Sequence, residues 1–411
     1  MSYSHDKSIE WFKRAAERIP QGIYGHFSPA LTSPGDFPCY TDSAKGVRIR
    51  DVDGNEYLDF VSAYGPMILG YADPDVDAAF AKQAKKGTST FPPSTKMVEL
   101  AELVCETINA ADWVYFTKNG ADTTSWAINI ARGHTRRNKI LLGNGVYHGA
   151  QTWAGTNHYG NTPTDRSEIL MTEWGNLEDT RRVVEQHKGE IAAIMMTPTH
   201  TPTFEANLLP GSDYWPGLRK LCDENGIILI ADDVRSGWRL DIKGAAHYFG
   251  VEPDIQTFGK AIANGYPISM VVGKKHLKVS ASKSFMTGSF FFNSPEMAAA
   301  IACINKMKKI DAAGICTLRG QQFKDGMESL AATYGLQFAV TGHVSMPYII
   351  FTNEKNFKRS QYFVRECNKN GLMILWHHNM FLSAAHTEKD INDALNIADG
   401  AFKKVKEKFG C

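Results

Sequence analysis

The feature that most constrains the fold is a repeated alternation of short apolar runs with helical patterns between residues 113 and 270. The apolar runs are rich in β-branched or large apolar residues, and most are bounded by Gly, Asp or Pro. This alternation is typical of an α/β protein whose parallel strands are covered by helices on both faces. The predicted strands are residues 113–117, 139–142, 192–197, 227–231 and 268–272.

The ends of the chain show a different pattern. Near the N-terminus, two alternating segments flank Asp53-Gly54, a pair that predicts a hairpin with a tight turn. Beyond Pro295, long helical patterns alternate with two short strand patterns. The remaining predicted elements are helices at 121–137, 177–187, 213–225, 295–309, 318–334 and 389–408, hairpin strands at 46–51 and 56–61, and later strands at 337–340 and 347–351.

These patterns predict an α/β fold in two domains. The large domain, residues 61–295, is expected to hold a mostly parallel sheet between helices. A smaller α+β domain, residues 296–411, is expected to be joined by the N-terminal segment, residues 1–60.

Composition narrows the class of partner. The 411 residues carry a formal net charge of +1 at pH 7, so no global field favours binding to a nucleic acid or a membrane surface. No apolar run approaches the roughly 18 residues of a membrane span, and residues 1–20 lack a secretory signal pattern. Seven scattered cysteines without a Cys-x-x-Cys pair indicate reduced thiols. We expect a soluble cytoplasmic protein with a small-molecule partner and no bound metal.

Catalytic chemistry is indicated most clearly around Lys260. This lysine follows a strand-like run and precedes the turn Gly265-Tyr266-Pro267. A phosphate-binding P-loop is excluded, because residue 254 is Asp where that motif requires its first Gly. Lys260 is therefore either a catalytic lysine or a structural lysine at a solvated edge.

A second candidate is the acidic pair Asp232-Asp233, which follows the predicted strand 227–231. Open parallel sheets bind ligands at the carboxyl ends of their strands. A carboxylate there can bind the protonated ring nitrogen of pyridoxal 5′-phosphate (PLP) and keep the cofactor an electron sink. The alternative interpretation is that these residues cap a loop.

Two further stretches could complete a cofactor site. Residues 116–123 join a strand to a helix at Gly120, where backbone N–H groups and the helix dipole suit a phosphate. Asp122 also fits ordinary helix capping. Residues 145–149 offer the ring of Tyr147 for stacking on a pyridine, although a plain loop tyrosine fits equally well. The spacing there is not that of a dinucleotide-binding loop.

Together these stretches resemble class III aminotransferases, most closely the glutamate-1-semialdehyde aminomutase branch. The resemblance covers nearly the whole chain, with further family-like segments at 50–55, 65–74, 101–106, 384–387 and 390–391. It implies fold type I of the PLP-dependent transferases, PLP as the cofactor, and an obligate homodimer with shared active sites.

The resemblance also implies roles for matching residues. Lys260 would form the Schiff base with PLP and carry protons, and Asp232 would pair with the pyridine nitrogen. The other matching residues would hold the cofactor: Val234 and Tyr147 on opposite ring faces, Asn119, Gly120 and Ala121 around the phosphate, and Ser289 at the phosphate of the neighbouring subunit.

Departures from the family pattern concern the substrate. No arginine lies between residues 20 and 31, where the aminomutases carry one, and Arg235 stands where relatives often have a neutral residue. Lys118 adds a cation beside the phosphate turn, and Thr197 replaces a usual Glu. A cluster of such cations would indicate a strongly anionic substrate, whereas separate positions would make them surface or capping residues. The predicted substrate residues are His26, Tyr64, Lys118 and Arg235.

The expected function is PLP-dependent transfer of an amino group from a small anionic amino compound. Elimination from an amino-phosphonate or amino-phosphate by an ammonia-lyase or phospholyase, and an intramolecular aminomutase reaction, remain open. A PLP-fold binding protein is the non-enzyme alternative, and the presence of Lys260 argues against it.

Overall fold

The structure, a computed structural model, describes residues 3–25, 40–155 and 159–410. Its strands are β1 (Thr41–Lys45), β2 (Arg48–Asp51), β3 (Glu56–Asp59), β4 (Trp113–Thr117), β5 (Lys139–Gly143), β6 (Ile169–Thr172), β7 (Ile191–Met196), β8 (Ile228–Asp232), β9 (Ile255–Phe258), β10 (Ser269–Gly273), β11 (Phe338–Thr341), β12 (Tyr348–Phe351) and β13 (Leu372–Met373). Its α-helices are α1 (Asp6–Ala16), α2 (Pro74–Ala84), α3 (Lys96–Thr107), α4 (Gly120–Thr135), α5 (Leu177–Gln186), α6 (Tyr214–Asn225), α7 (Ala245–Tyr248), α8 (Lys278–Lys283), α9 (Ser294–Ile310), α10 (Ala312–Thr333), α11 (Lys358–Lys369) and α12 (Glu388–Phe409).

The chain divides into two compact units. The small unit comprises Met1–Asp73, Thr203–Asn207 and Gly314–Cys411, and the large unit comprises Pro74–Pro202 and Leu208–Ala313. Helices α2 and α9 pack against each other within the large unit. The domain boundaries after residues 60 and 295 stay a prediction.

The large unit contains a seven-stranded sheet in the order β4-β10-β9-β8-β7-β5-β6. Strands β9, β8, β7, β5 and β6 run parallel, and β10 is antiparallel to both of its neighbours. The short connection from β9 to β10 cannot make the crossover that a parallel neighbour requires, so β10 returns antiparallel. The predicted mostly parallel sheet is confirmed. The edge strand β6, a four-residue run, was missed by the sequence patterns.

The central strands are buried on both faces, as their unbroken apolar character predicted. Every residue of β7 is buried. Its last four side chains alternate between two core clusters, Ala193 and Met195 packing with residues of α4, and Ile194 and Met196 with residues of α5 and α6. Helices therefore cover both faces, and the strand ends are left to form a site.

The small unit has α+β architecture. Strands β2 and β3 form the predicted antiparallel hairpin, and β3 also pairs in parallel with β13. Gly54 in the hairpin turn has φ +91°, a conformation that favours glycine. A second antiparallel pair, β11 and β12, precedes helix α11. Within residues 3–25, 40–155 and 159–410, no helix is long and apolar enough to cross a membrane.

Candidate active site

The candidate site is built where β8 and β9 end side by side in the large unit. The two strands are parallel, and Asp232 at the end of β8 is in register with Thr257 in β9. Lys260 follows β9 after Gly259, in a 3-10 turn that runs to Ala263. The strand register therefore brings Lys260 and Asp232, which are far apart in sequence, to the same edge of the sheet.

The Asp232 carboxylate is held in a network of hydrogen bonds. The side chain is only 4% exposed. Its Oδ1 accepts from the backbone N–H of Val234 and from the Thr257 hydroxyl, each at 3.1 Å. Its Oδ2 lies 2.6 Å from Nδ1 of the buried His148. Sequence reasoning did not single out His148, although it lies beside Tyr147 in the stretch 145–149.

Asp233 faces the other side of the strand and is already engaged. It is fully buried and accepts from the Ser236 hydroxyl at 2.6 Å, the Ala245 backbone N–H at 2.8 Å and the Gln256 amide. Burial raises the pKa of the Asp233 carboxyl to about 6. This residue anchors the segment around α7, so Asp232 is the carboxylate of the pair that is placed to bind a ligand.

Lys260 is strained and electrostatically tuned. Its φ of +42° lies in the left-handed region, which is costly for a residue with a Cβ. Burial lowers the pKa of its amine to about 7, helped by the cations of Arg235 and Arg239 and opposed by Asp232. A substantial fraction of the amine is therefore uncharged and nucleophilic near neutral pH.

Val234 links the lysine segment to the predicted phosphate turn. A Cβ on Gly120 would lie 2.7 Å from Val234 Cγ1, and one on Gly259 would lie 3.3 Å from the same atom. The Gly259 Cβ would also lie 2.7 Å from the Ser269 hydroxyl. Both positions therefore require glycine, because the backbone closes directly around the Val234 side chain.

The predicted phosphate turn forms the N-terminus of α4. Asn119 caps the helix by accepting from the Asp122 backbone N–H at 3.1 Å, and Asp122 accepts in return from the Asn119 N–H. The first N–H groups of a helix have no intrahelical partner and attract anions. Gly149 packs directly against the N-terminus of α4, since a Cβ on Gly149 would lie 2.7 Å from the Ala121 Cβ.

Tyr147 lies near Asp232 and Arg235, and Arg235 also lies near Lys260. Tyr147 is 52% exposed, and its pKa is raised by partial burial and by Asp232 but lowered by Arg235. Arg235 donates from Nη1 to the Thr201 hydroxyl at 2.9 Å. Burial lowers the pKa of Arg235 to about 10, still far above neutrality, so it remains a cation.

Three of the four remaining predicted site residues lie within the described residues. Lys118 is exposed, with Nζ 5.9 Å from the Phe290 ring centroid, and Ser289 is exposed in the segment after α8. Tyr64 belongs to the small unit, where it is buried and meets the His378 ring edge-on at 5.0 Å. His26 lies outside the described residues.

These groups fit PLP. The Lys260 amine, with a pKa of about 7, suits the aldehyde of PLP. The buried Asp232 carboxylate suits its ring nitrogen, and the helix start at Gly120 suits its phosphate. The sequence matches the family model described as Aminotransferase class-III over residues 32–397. The chain belongs to the class III aminotransferase family. The family predicted from the sequence is thus confirmed.

Individual class III relatives cover almost the whole chain. An aminopentol aminotransferase of Sphingopyxis macrogoltabida is 37% identical, over 97% of this chain and 94% of that protein. A 3-aminobutyryl-CoA aminotransferase of Cloacimonas acidaminovorans is 32% identical, over 98% of each chain. A glutamate-1-semialdehyde 2,1-aminomutase of Methanococcoides burtonii is also 32% identical, over 95% of this chain and 97% of that protein.

A solved structure supports the fold and the cofactor. The PLP internal aldimine form of the FumI protein from Sphingopyxis sp. MTA144 superposes with a TM-score of 0.97, with 36% identity and 98% of both chains covered. This class III aminotransferase therefore has the predicted PLP-dependent transferase fold. It is a PLP-dependent enzyme of the transaminase family, as expected from the sequence.

Proposed function

We propose that this class III aminotransferase transfers the amino group of a small anionic amino compound to a keto acceptor, with Lys260 as the residue that attaches to PLP. The observation that carries the proposal is the position of Lys260 at the same sheet edge as Asp232, with an amine whose pKa is about 7. An uncharged amine can attack a carbonyl and can also accept and return a proton.

Different residues around Lys260 are proposed to bind the cofactor and to transfer protons. Bound PLP would supply an electron sink for the bond that breaks at the substrate's amino carbon. Asp232 would hold the ring nitrogen of PLP, and Lys260 would move a proton at the substrate carbon through Nζ. The remaining residues hold the cofactor: Val234 and Tyr147 at the ring, and Asn119, Gly120 and Ala121 at the phosphate.

The proposed anionic substrate is supported by Arg235. Its guanidinium is anchored by Thr201 and lies close enough to Lys260 and Tyr147 to affect the pKa of each. Such a cation recognises a carboxylate, phosphate or phosphonate through charge-assisted hydrogen bonds. Lys118 is proposed as a second cation at the phosphate turn, with Tyr64 and His26 as further substrate residues.

A second candidate function is favoured by the anchoring of Arg235. A transaminase alternates between two substrates, whereas a fixed cation suits one anionic substrate that is consumed by elimination or rearranged. This observation supports an ammonia-lyase or phospholyase reaction on an amino-phosphonate or amino-phosphate, or an intramolecular aminomutase reaction. Transamination stands first because relatives at 37% and 32% identity are named as aminotransferases.

We further propose a homodimer with shared active sites. Ser289, which would reach the phosphate bound by the partner, is exposed among exposed aromatic side chains of the large unit. Phe285, Phe290 and Phe292 are all exposed there. Exposed aromatic groups of this kind are typical of surfaces that are buried on association.

One assay separates the candidate reactions. Purified holoenzyme is incubated with a panel of amino acids, amino-phosphonates and amino-phosphates, with and without a keto acid, and ammonia and the aminated acceptor are measured. Transamination predicts strict dependence on the keto acid. Sustained ammonia release without a keto acid would instead establish the lyase, and an isomeric amine without ammonia would establish the aminomutase.

A further inference from the structure

The segment from Ser62 to Gly65 in the small unit has an unusual backbone. Ser62, Ala63 and Tyr64 have φ values of +50°, +51° and +64°, and Gly65 follows with +112°. Residues other than glycine normally visit this left-handed region singly, because their Cβ comes close to the following carbonyl oxygen. Backbone strain of this kind persists only where neighbouring groups hold it, and it is concentrated at functional sites. The surrounding structure must therefore hold this turn.

Asp59 is the first residue that holds the turn. Its buried carboxylate accepts from the backbone N–H of Val61 at 2.7 Å and from that of Ser62 at 2.9 Å. Burial raises the pKa of Asp59 to about 6, against the opposing effect of its hydrogen bonds, so the carboxylate is mainly ionised at pH 7. An ionised carboxylate only accepts hydrogen bonds and is therefore suited to bind two consecutive N–H groups.

Tyr71 is the second residue that holds the turn. Its hydroxyl donates to Asp59 Oδ2 at 2.8 Å. Burial and the Asp59 carboxylate raise the pKa of the phenol, whereas a hydrogen bond from the backbone N–H of Ala63 lowers it. The phenol therefore stays protonated and links Asp59 to the turn. Asp59 and Tyr71 together bind the N–H groups of the three consecutive residues 61–63.

The turn places Tyr64 against a second segment of the small unit. Before Tyr64, the Ser62 hydroxyl donates to the Phe381 carbonyl at 3.2 Å. After it, a Cβ on Gly65 would lie 2.9 Å from the Phe381 ring. The Tyr64 ring meets the His378 ring edge-on, with 5.0 Å between the centroids. Because the backbone on both sides of Tyr64 is fixed, the direction of its ring depends on the left-handed turn.

We propose that Asp59 and Tyr71 are positioning residues that act through Tyr64: by binding the backbone N–H groups of the turn, they hold the Tyr64 ring in the orientation that meets the substrate. This inference rests on the proposed role of Tyr64 as a substrate residue. Without the Tyr71 hydroxyl, Ala63 loses an acceptor and Asp59 loses a donor, so the turn can relax toward a less strained backbone. The substrate would then bind more weakly, while the chemical steps that follow binding stay the same.

The test is a double-mutant cycle of Tyr71→Phe and Tyr64→Ala. Each holoenzyme is mixed with aminooxyacetate, a small anionic probe whose amino-oxy nitrogen forms a C=N bond to the cofactor carbon, releases the Lys260 amine and abolishes the visible absorbance band. The rate of band loss against probe concentration gives a half-saturating concentration and a limiting rate. The PLP content and the thermal unfolding temperature are measured for every variant.

Tyr71→Phe is expected to raise the half-saturating concentration by about 3- to 10-fold, the equivalent of one net hydrogen bond, with an unchanged limiting rate. In the Tyr64→Ala background the same substitution should have no further effect, because no ring is left to position. Tyr57→Phe is the matched control, since the buried Tyr57 hydroxyl of the same unit donates to Asp51 at 3.1 Å rather than to the turn. It should lower the thermal unfolding temperature and leave the half-saturating concentration unchanged.

Two results would overturn the role of Asp59 and Tyr71: a wild-type half-saturating concentration in Tyr71→Phe, or an equal increase with and without the Tyr64 ring. An unchanged value in Tyr64→Ala alone would overturn the proposed substrate role of Tyr64, and this inference with it. The attachment of Lys260 to PLP is tested separately by Lys260→Ala. Failure of the proposed function is therefore distinguishable from failure of this inference.

Discussion

The reactivity of Lys260 toward PLP should follow a titration near neutral pH. An ordinary lysine has a pKa of 10.5, whereas burial and the neighbouring arginines lower this one to about 7. At pH 7 the uncharged fraction is about one half, compared with roughly one in 3,000 for the ordinary group, a gain of about 1,600-fold. The fraction falls tenfold for each pH unit below the pKa.

The assay is the rate at which purified apoenzyme acquires the visible absorbance band after addition of PLP, measured from pH 5 to pH 10. The rate should reach half of its plateau near pH 7. In Arg235→Gln the midpoint should move upward, because a cation that disfavours the charged lysine has been removed. A midpoint that stays near 10.5 in wild type would refute the electrostatic argument.

Three further outcomes are expected. Lys260→Ala should abolish turnover and the visible band while leaving the thermal unfolding temperature close to wild type. Asp232→Ala should reduce kcat far more than PLP content, whereas Asp233→Ala should mainly reduce stability, by roughly 3 kcal/mol or more, because three buried donors lose their acceptor. Gly120→Ala should weaken PLP binding by about 10- to 100-fold, since its Cβ would press on Val234 at 2.7 Å.

Each of these variants has a matched control or a contrary result. Gly133→Ala lies in the same helix with no heavy atom within 4 Å of the added Cβ, so PLP binding should be unaffected. Near-normal turnover in Lys260→Ala would remove that residue from the chemistry. Loss of kcat in Asp233→Ala with activity kept in Asp232→Ala would show that Asp233, and not Asp232, binds the ring nitrogen.

The sequence by itself determined many of the elements and the kind of chemistry, although helices α2, α3 and α11 and strand β6 were not among those predicted. The five strands first predicted between residues 113 and 272 are present within one residue at each end. The hairpin around Asp53-Gly54 and the later helices also follow local periodicity and turn chemistry, which act over a few residues. The stretches around Lys260 and Asp232 carry enough pattern to predict the family and PLP.

Tertiary structure decided which of those residues face one another. The family resemblance singled out Asp232, but the strand pattern by itself does not distinguish it from Asp233, because adjacent residues point to opposite faces and the partners on each face are set by the fold. Strand order supplies those partners. Gln256 and Ala245 donate hydrogen bonds to Asp233, and His148, 84 positions away in sequence, contacts Asp232. Such contacts depend on how the whole sheet is assembled, and no local pattern records them.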